Sequence, residues 1–158
     1  MDVTKIGVIG AGQMGNGIAH VMALAGYHVC LNDISEDVLS QALTRIDKNM
    51  MRQVKSGKIA QADKAAALAR ITTTLSIADI GQSDLVIEAA TEDEPTKQVI
   101  FDALVPHIQD HTILTSNTSS ISITRLASRT GRPEKFMGMH FMNPVPVMKL
   151  VELIRGLA

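Results

Sequence analysis

The sequence predicts an α/β fold: a doubly wound, mostly parallel sheet with a helical hairpin inserted after the second strand. Three observations lead to it. An apolar strand at Ile6–Ile9 runs straight into closely spaced glycines, and a helix-like pattern follows them. Strand-like and helix-like stretches then alternate along the chain, as parallel strands joined by crossover helices do. The polar residues that interrupt the apolar runs fall at strand ends, where open α/β sheets bind their ligands.

The glycines are Gly10, Gly12 and Gly15, in Gly-Ala-Gly-Gln-Met-Gly. Between a strand and a helix, this spacing is a dinucleotide-binding pattern and marks the sheet as Rossmann-type. Gly10 suits the tight turn, Gly12 admits a pyrophosphate, and Gly15 allows close helix–sheet packing. The N–H groups that open the helix, around Gln13 and Met14, then face phosphate. A second apolar run, His28 to Asn32, ends at Asp33, placed to accept from the adenosine ribose hydroxyls. Ile34 and Ser35 follow with no arginine for a 2′-phosphate, so NAD is expected rather than NADP.

The remaining elements follow in order. Met14 to Ala25 has helical spacing and meets Gly26 as a cap. Ser35 offers an N-cap to a long helix whose stripe is Val38, Ala42, Ile46, Met50 and Val54, ending near Gly57. Asp63 to Ala69 reads as a shorter helix. Two helices exceed what one crossover needs, so they are expected as a hairpin projecting from the sheet. Arg45, Lys48, Arg52 and Lys55 share one face of it, either a solvated surface or a contact for a phosphate-bearing substrate. Ile71–Leu75, Leu85–Glu88, Ile113–Thr115 and Phe136–Met139 read as strands, the last ending at His140. Pro95 opens a helix, Ser122 caps a brief one through Leu126, and Met148–Leu153 runs apolar after a proline turn.

Composition narrows the function classes. The 158 residues suit one domain, and 46% hydrophobic content can fill its core. A net charge of -1, three Phe, one Tyr and no Trp give no case for nucleic acid or a membrane surface. No stretch approaches the roughly 18 apolar residues of a membrane span, and the start of the chain lacks a signal-peptide shape. A single cysteine, Cys30, reads as a small core residue and points to a reducing compartment; the protein is expected in the cytoplasm, or in an organelle if a transit segment has been removed. No metal is called for.

Five segments are expected to meet at one sheet edge: the glycine loop, Asp33, Glu88–Glu92, Ser116–Ser120 and His140. If Phe136–Phe141 and Met148–Leu153 form a hairpin centred near Pro146, His140 and Glu152 face each other. A carboxylate beside an imidazole fixes its tautomer and stabilises the imidazolium, which suits the proton transfer that accompanies hydride transfer. On spacing alone a structural histidine fits equally well. His20, His28, His107 and His111 lack such a setting and read as structural or exposed.

The motifs Gly-Ala-Gly-Gln-Met-Gly at 10–15, Val-Ile-Glu-Ala-Ala at 86–90, Ser-Asn-Thr-Ser-Ser at 116–120 and His-Phe-Met-Asn-Pro-Val-Pro-Val-Met-Lys-Leu-Val-Glu at 140–152 resemble the NAD-binding domain of the 3-hydroxyacyl-CoA dehydrogenase family. The resemblance spans nearly the whole chain. It implies NAD-dependent interconversion of a 3-hydroxyacyl-CoA, 3-hydroxybutyryl-CoA in the nearest members, and its 3-oxoacyl-CoA. By it, His140 is the base and Glu152 its partner. Ser119 meets the reacting oxygen and Asn143 flanks the histidine. Glu92 and Lys97 contact the ribose and nicotinamide region, with Ala90 and Asn117 on the same edge. The helical hairpin would meet CoA. The family also implies a second, helical domain that completes the substrate site and forms a homodimer. The 158 residues correspond to the cofactor domain, so NAD binding with little turnover is expected of this chain alone. A 2-hydroxyacid-type or 6-phosphogluconate-type dehydrogenase fits the 140–152 block less well, and a non-catalytic NAD-binding protein is the other alternative.

Overall fold

The computed structural model describes residues 1–158. Its seven-stranded sheet comprises β1 (Lys5–Ile9), β2 (His28–Asn32), β3 (Ile71–Thr74), β4 (Leu85–Glu88), β5 (Ile113–Ser116), β6 (Phe136–Phe141) and β7 (Val151–Arg155), in the order β3-β2-β1-β4-β5-β6-β7. The first six are parallel, and β7 closes one edge antiparallel to β6. Strand order reverses between β1 and β4, so their carboxyl ends flank the crevice that such sheets use for ligands.

Period-two alternation drives this layering. Ile6, Val8, Val29, Leu31 and Ile87 face one layer, while Ile9, Val86 and Leu114 face the other. The first layer is α1 (Gln13–Leu24), α2 (Glu36–Lys55) and α3 (Gln61–Ala69). The second is α4 (Ile77–Ile80), α5 (Glu94–Leu104) and α6 (Ile123–Ser128), where Phe101 stands edge-on to Phe136 with centroids 5.1 Å apart. The sheet is therefore doubly wound, as expected.

Side chains set the helix starts. Ser35 Oγ accepts from Val38 N, Asp93 from Thr96 N, and Ser122 Oγ from Arg125 N, each satisfying an N–H that has no intrahelical partner. The hairpin of α2 and α3 exists but does not stand free. Leu39, Ala42, Ile46 and Met50 are buried in one core with residues of α1 and the sheet, and buried Lys64 pairs with Asp47 at 3.0 Å to clip α3 to α2. Arg45, Lys48, Arg52 and Lys55 lie exposed on the outer face.

Two expectations need correction. Residues 77–80 form a short helix that the sequence reading left without an element. The last strand begins at Val151 rather than Met148, because the chain is still turning there: Val147 N and Met148 N both donate to Pro144 O at 3.0 Å. Along this edge Val147, Met148, Leu150, Leu153 and Leu157 are exposed. No helix is long and apolar enough to cross a membrane.

Candidate active site

The site begins where β1 ends. Gly10 has φ +96, and a Cβ there would lie 2.6 Å from Ala89 O, so the turn needs both the left-handed backbone and the missing side chain. A Cβ on Gly15 would fall 1.6 Å from Gly10 O; this glycine is what lets α1 start so near the strand. At Gly12 an added Cβ would meet nothing, so the loop is open on that side. No side chain caps α1, and its first turn carries no acidic residue. Its leading N–H groups are left for an anion, which fits a dinucleotide pyrophosphate.

Asp33 braces this loop from β2. One carboxylate oxygen accepts from Ala11 N at 2.9 Å and the other from Ser35 N at 3.1 Å. On the far side of the crevice a cleft of about 290 Å³ is lined by residues that include Met14, Ala90, Glu92, Lys97, Asn117, Ser119, His140 and Asn143. Four of the five anticipated segments thus share one cavity or touch its wall, and Asp33 joins them through Ala11. Gln13 lies at the mouth, where its Nε2 donates to Asn143 Oδ1 at 3.3 Å.

His140 and Glu152 are directly paired across β6 and β7. His140 Nδ1 lies 3.5 Å from Glu152 Oε2, with the imidazole mostly buried and the carboxylate half exposed. This is ion-pair range and longer than a settled hydrogen bond. Asn117 fixes the strand beneath: its Oδ1 accepts from Phe141 N at 2.7 Å. That oxygen is therefore engaged with backbone, leaving the amide nitrogen for the cleft.

Glu88, expected only as the start of a segment at this sheet edge and without a role of its own, supports the cleft from below. It is 0% exposed and fully satisfied. Lys97 Nζ donates to its two oxygens at 2.7 and 2.8 Å, Ser116 Oγ to one at 2.7 Å, and Ala90 N to the other at 2.8 Å. Lys97, also buried, stands 3.9 Å from Glu92. Glu92 Oε2 in turn accepts from Ser119 N at 3.0 Å, Ser119 Oγ at 2.9 Å and Ser120 Oγ at 3.3 Å. Partial burial opposes its charge, but bonds from Thr118 and Ser119 and the nearby Lys97 outweigh that and hold its carboxyl at about 2. Only the acid at the end of β4 hinted at Glu88, since its partners lie up to 28 residues away. Gly17 was also missed. Its absent side chain lets Val145 seat the proline turn on α1, where a Cβ would come within 2.8 Å of the valine.

Residues 5–158 match the family model described as 3-hydroxyacyl-CoA dehydrogenase, NAD binding domain. The chain belongs to that family. Its similarity to a 3-hydroxybutyryl-CoA dehydrogenase of Bradyrhizobium diazoefficiens is 54% identity over 156 residues, covering 99% of this chain and 53% of that protein. For the 3-hydroxybutyryl-CoA dehydrogenase of Clostridioides difficile the identity is 45%, covering 96% and 54%. The crystal structure of (S)-3-hydroxybutyryl-CoA dehydrogenase from Ralstonia eutropha superimposes with a TM-score of 0.96 at 47% identity, covering 99% of this chain and 55% of that one. The chain spans about half the length of the relatives it matches. Its cofactor is NAD.

Proposed function

We propose that these 158 residues are the cofactor-binding half of an NAD-dependent dehydrogenase that interconverts a 3-hydroxyacyl-CoA, 3-hydroxybutyryl-CoA foremost, and its 3-oxoacyl-CoA. The observation that carries this reading is the His140–Glu152 couple, facing across a hairpin at the cleft that the glycine loop borders. Bound NAD+ supplies the hydride acceptor. Because Nδ1 of His140 faces Glu152, Nε2 is the nitrogen left to take the hydroxyl proton, and Glu152 steadies the resulting imidazolium. Ser119 hydrogen-bonds the reacting oxygen and Asn143 orients it beside the histidine. Gly10, Gly12, Gln13, Met14, Gly15 and Asp33 hold the adenosine and pyrophosphate portion; Ala90, Glu92, Lys97 and Asn117 hold the nicotinamide riboside. The exposed basic face of α2 meets the CoA phosphates by charge. Residues beyond this segment, such as the relatives' greater length provides, complete the acyl-CoA site and the homodimer, in the cytoplasm.

The test follows NADH formation from 3-hydroxybutyryl-CoA, with the 158-residue chain and with a protein of the relatives' length that carries it. The short chain is expected to bind NAD with little turnover; brisk oxidation by it alone would overturn the half-site reading. In the longer protein His140→Gln should lower kcat by about 10²–10⁴-fold and leave the NAD Kd unchanged. Near-normal turnover would remove the histidine from the chemistry and favour a non-catalytic NAD-binding role.

A further inference from the structure

Ser119 has one hydroxyl proton, and the structure commits it to Glu92 at 2.9 Å. A serine in that state accepts hydrogen bonds but does not donate to a substrate oxygen. Glu92 Oε2 is also crowded, with Ser119 N and Ser120 Oγ as further donors. Each carboxylate oxygen offers about two lone-pair sites; Oε1 faces Lys97 at 3.9 Å, so a diol that spans both oxygens must displace a donor at Oε2.

The cofactor brings such donors. Glu92 is the only carboxylate lining the cleft, and its side chain is 42% exposed. The two amide oxygens of the cleft, Asn117 Oδ1 and Asn143 Oδ1, already serve Phe141 N and Gln13 Nε2. A ribose diol entering on this side of the sheet crossover finds its charged acceptor in Glu92, and charge-assisted bonds of this kind exceed neutral ones. Two hydroxyls on Glu92 can rotate away while the Ser119 N–H is fixed in the backbone, and of these only that of Ser119 belongs to a residue lining the cleft, so it is the one an incoming ribose meets.

We propose that Glu92 and Ser119 form a hydrogen-bond exchange pair: the cofactor's ribose replaces the Ser119 hydroxyl on Glu92, and the released hydroxyl turns to the substrate oxygen. This rests on the reading of Ser119 as the substrate's partner, and it makes the cofactor the first ligand to bind. Glu92 is then a positioning residue for Ser119 as well as a cofactor contact.

The exchange is tested by calorimetric NAD binding to the 158-residue chain. Ser119→Ala removes the competing hydroxyl, while Ser119 N and Ser120 Oγ still steady Glu92. NAD affinity should rise about three- to tenfold, the effect of one modest hydrogen bond no longer broken. In a Glu92→Ala background the same change should leave affinity unaltered. A serine that only shaped the loop, or that bound NAD itself, would instead weaken binding when truncated. Unchanged or weaker binding by Ser119→Ala overturns the exchange, as does a gain that persists without Glu92. The dehydrogenase reading is judged separately, by the turnover of His140→Gln.

Discussion

The two halves of the crevice hold their carboxylates by different means. On the β1–β2 side Asp33 is gripped by backbone N–H groups at both oxygens, from Ala11 and Ser35. On the β4–β5 side Glu92 is gripped by one backbone N–H, from Ser119, and by the Ser119 and Ser120 hydroxyls, above a buried Glu88–Lys97 pair. Backbone donors cannot rotate away, so the first half is a fixed anchor. Hydroxyls can, so the second half can change partners as ligands arrive.

The contrast is tested most severely at its buried support. Glu88→Leu strands the Lys97 ammonium in the interior, which should cost about 3–5 kcal/mol and lower Tm by roughly 10 °C. Adding Lys97→Met should recover most of that loss. A melting curve unmoved by Glu88→Leu would mean that the floor does not depend on the pair. On the other side, Asp33→Ala should weaken NAD about tenfold through lost hydrogen bonds to charge, with Ser119→Ala adding its gain independently. Non-additive Kd values would show that the halves are coupled. The smallest effect is a pH dependence. Glu92 titrates at about 2 instead of its usual 4.5, so the folded state favours its charged form. Its stabilising contribution is complete above about pH 4.5 and drains away as pH falls toward about 2. The Tm difference between the native chain and Glu92→Gln should therefore narrow over that range; a constant difference would detach Glu92 from acid sensitivity.

The same contrast governs what could be read in the sequence. The anchor was legible because its constraints are local: glycines at fixed spacing, and an acid at the end of the next strand. His140 and Glu152 were legible as a pair because a hairpin about Pro146 brings them into register, and they are indeed cross-strand partners. The role of Glu88 was not, since its saturation depends on Lys97 of α5 and Ser116 of β5 arriving beside the nearby Ala90 N–H. Nor was the engagement of Asn117 with Phe141 N, which only the adjacency of β5 and β6 creates. The start of β7 was misjudged because apolar character continues through residues that are still turning.

The hairpin at the sheet's edge has one more implication. Every other juxtaposition around the crevice depends on crossovers and distant strands, whereas the imidazole and its carboxylate are brought together by a single antiparallel excursion. Shifting the β6–β7 pairing by one residue would turn the acid to the opposite side of the sheet and leave the glycine loop intact. The imidazole–carboxylate pair is thus separable from the glycine-loop platform, so small insertions and deletions in one hairpin could remove or restore it without rebuilding the fold.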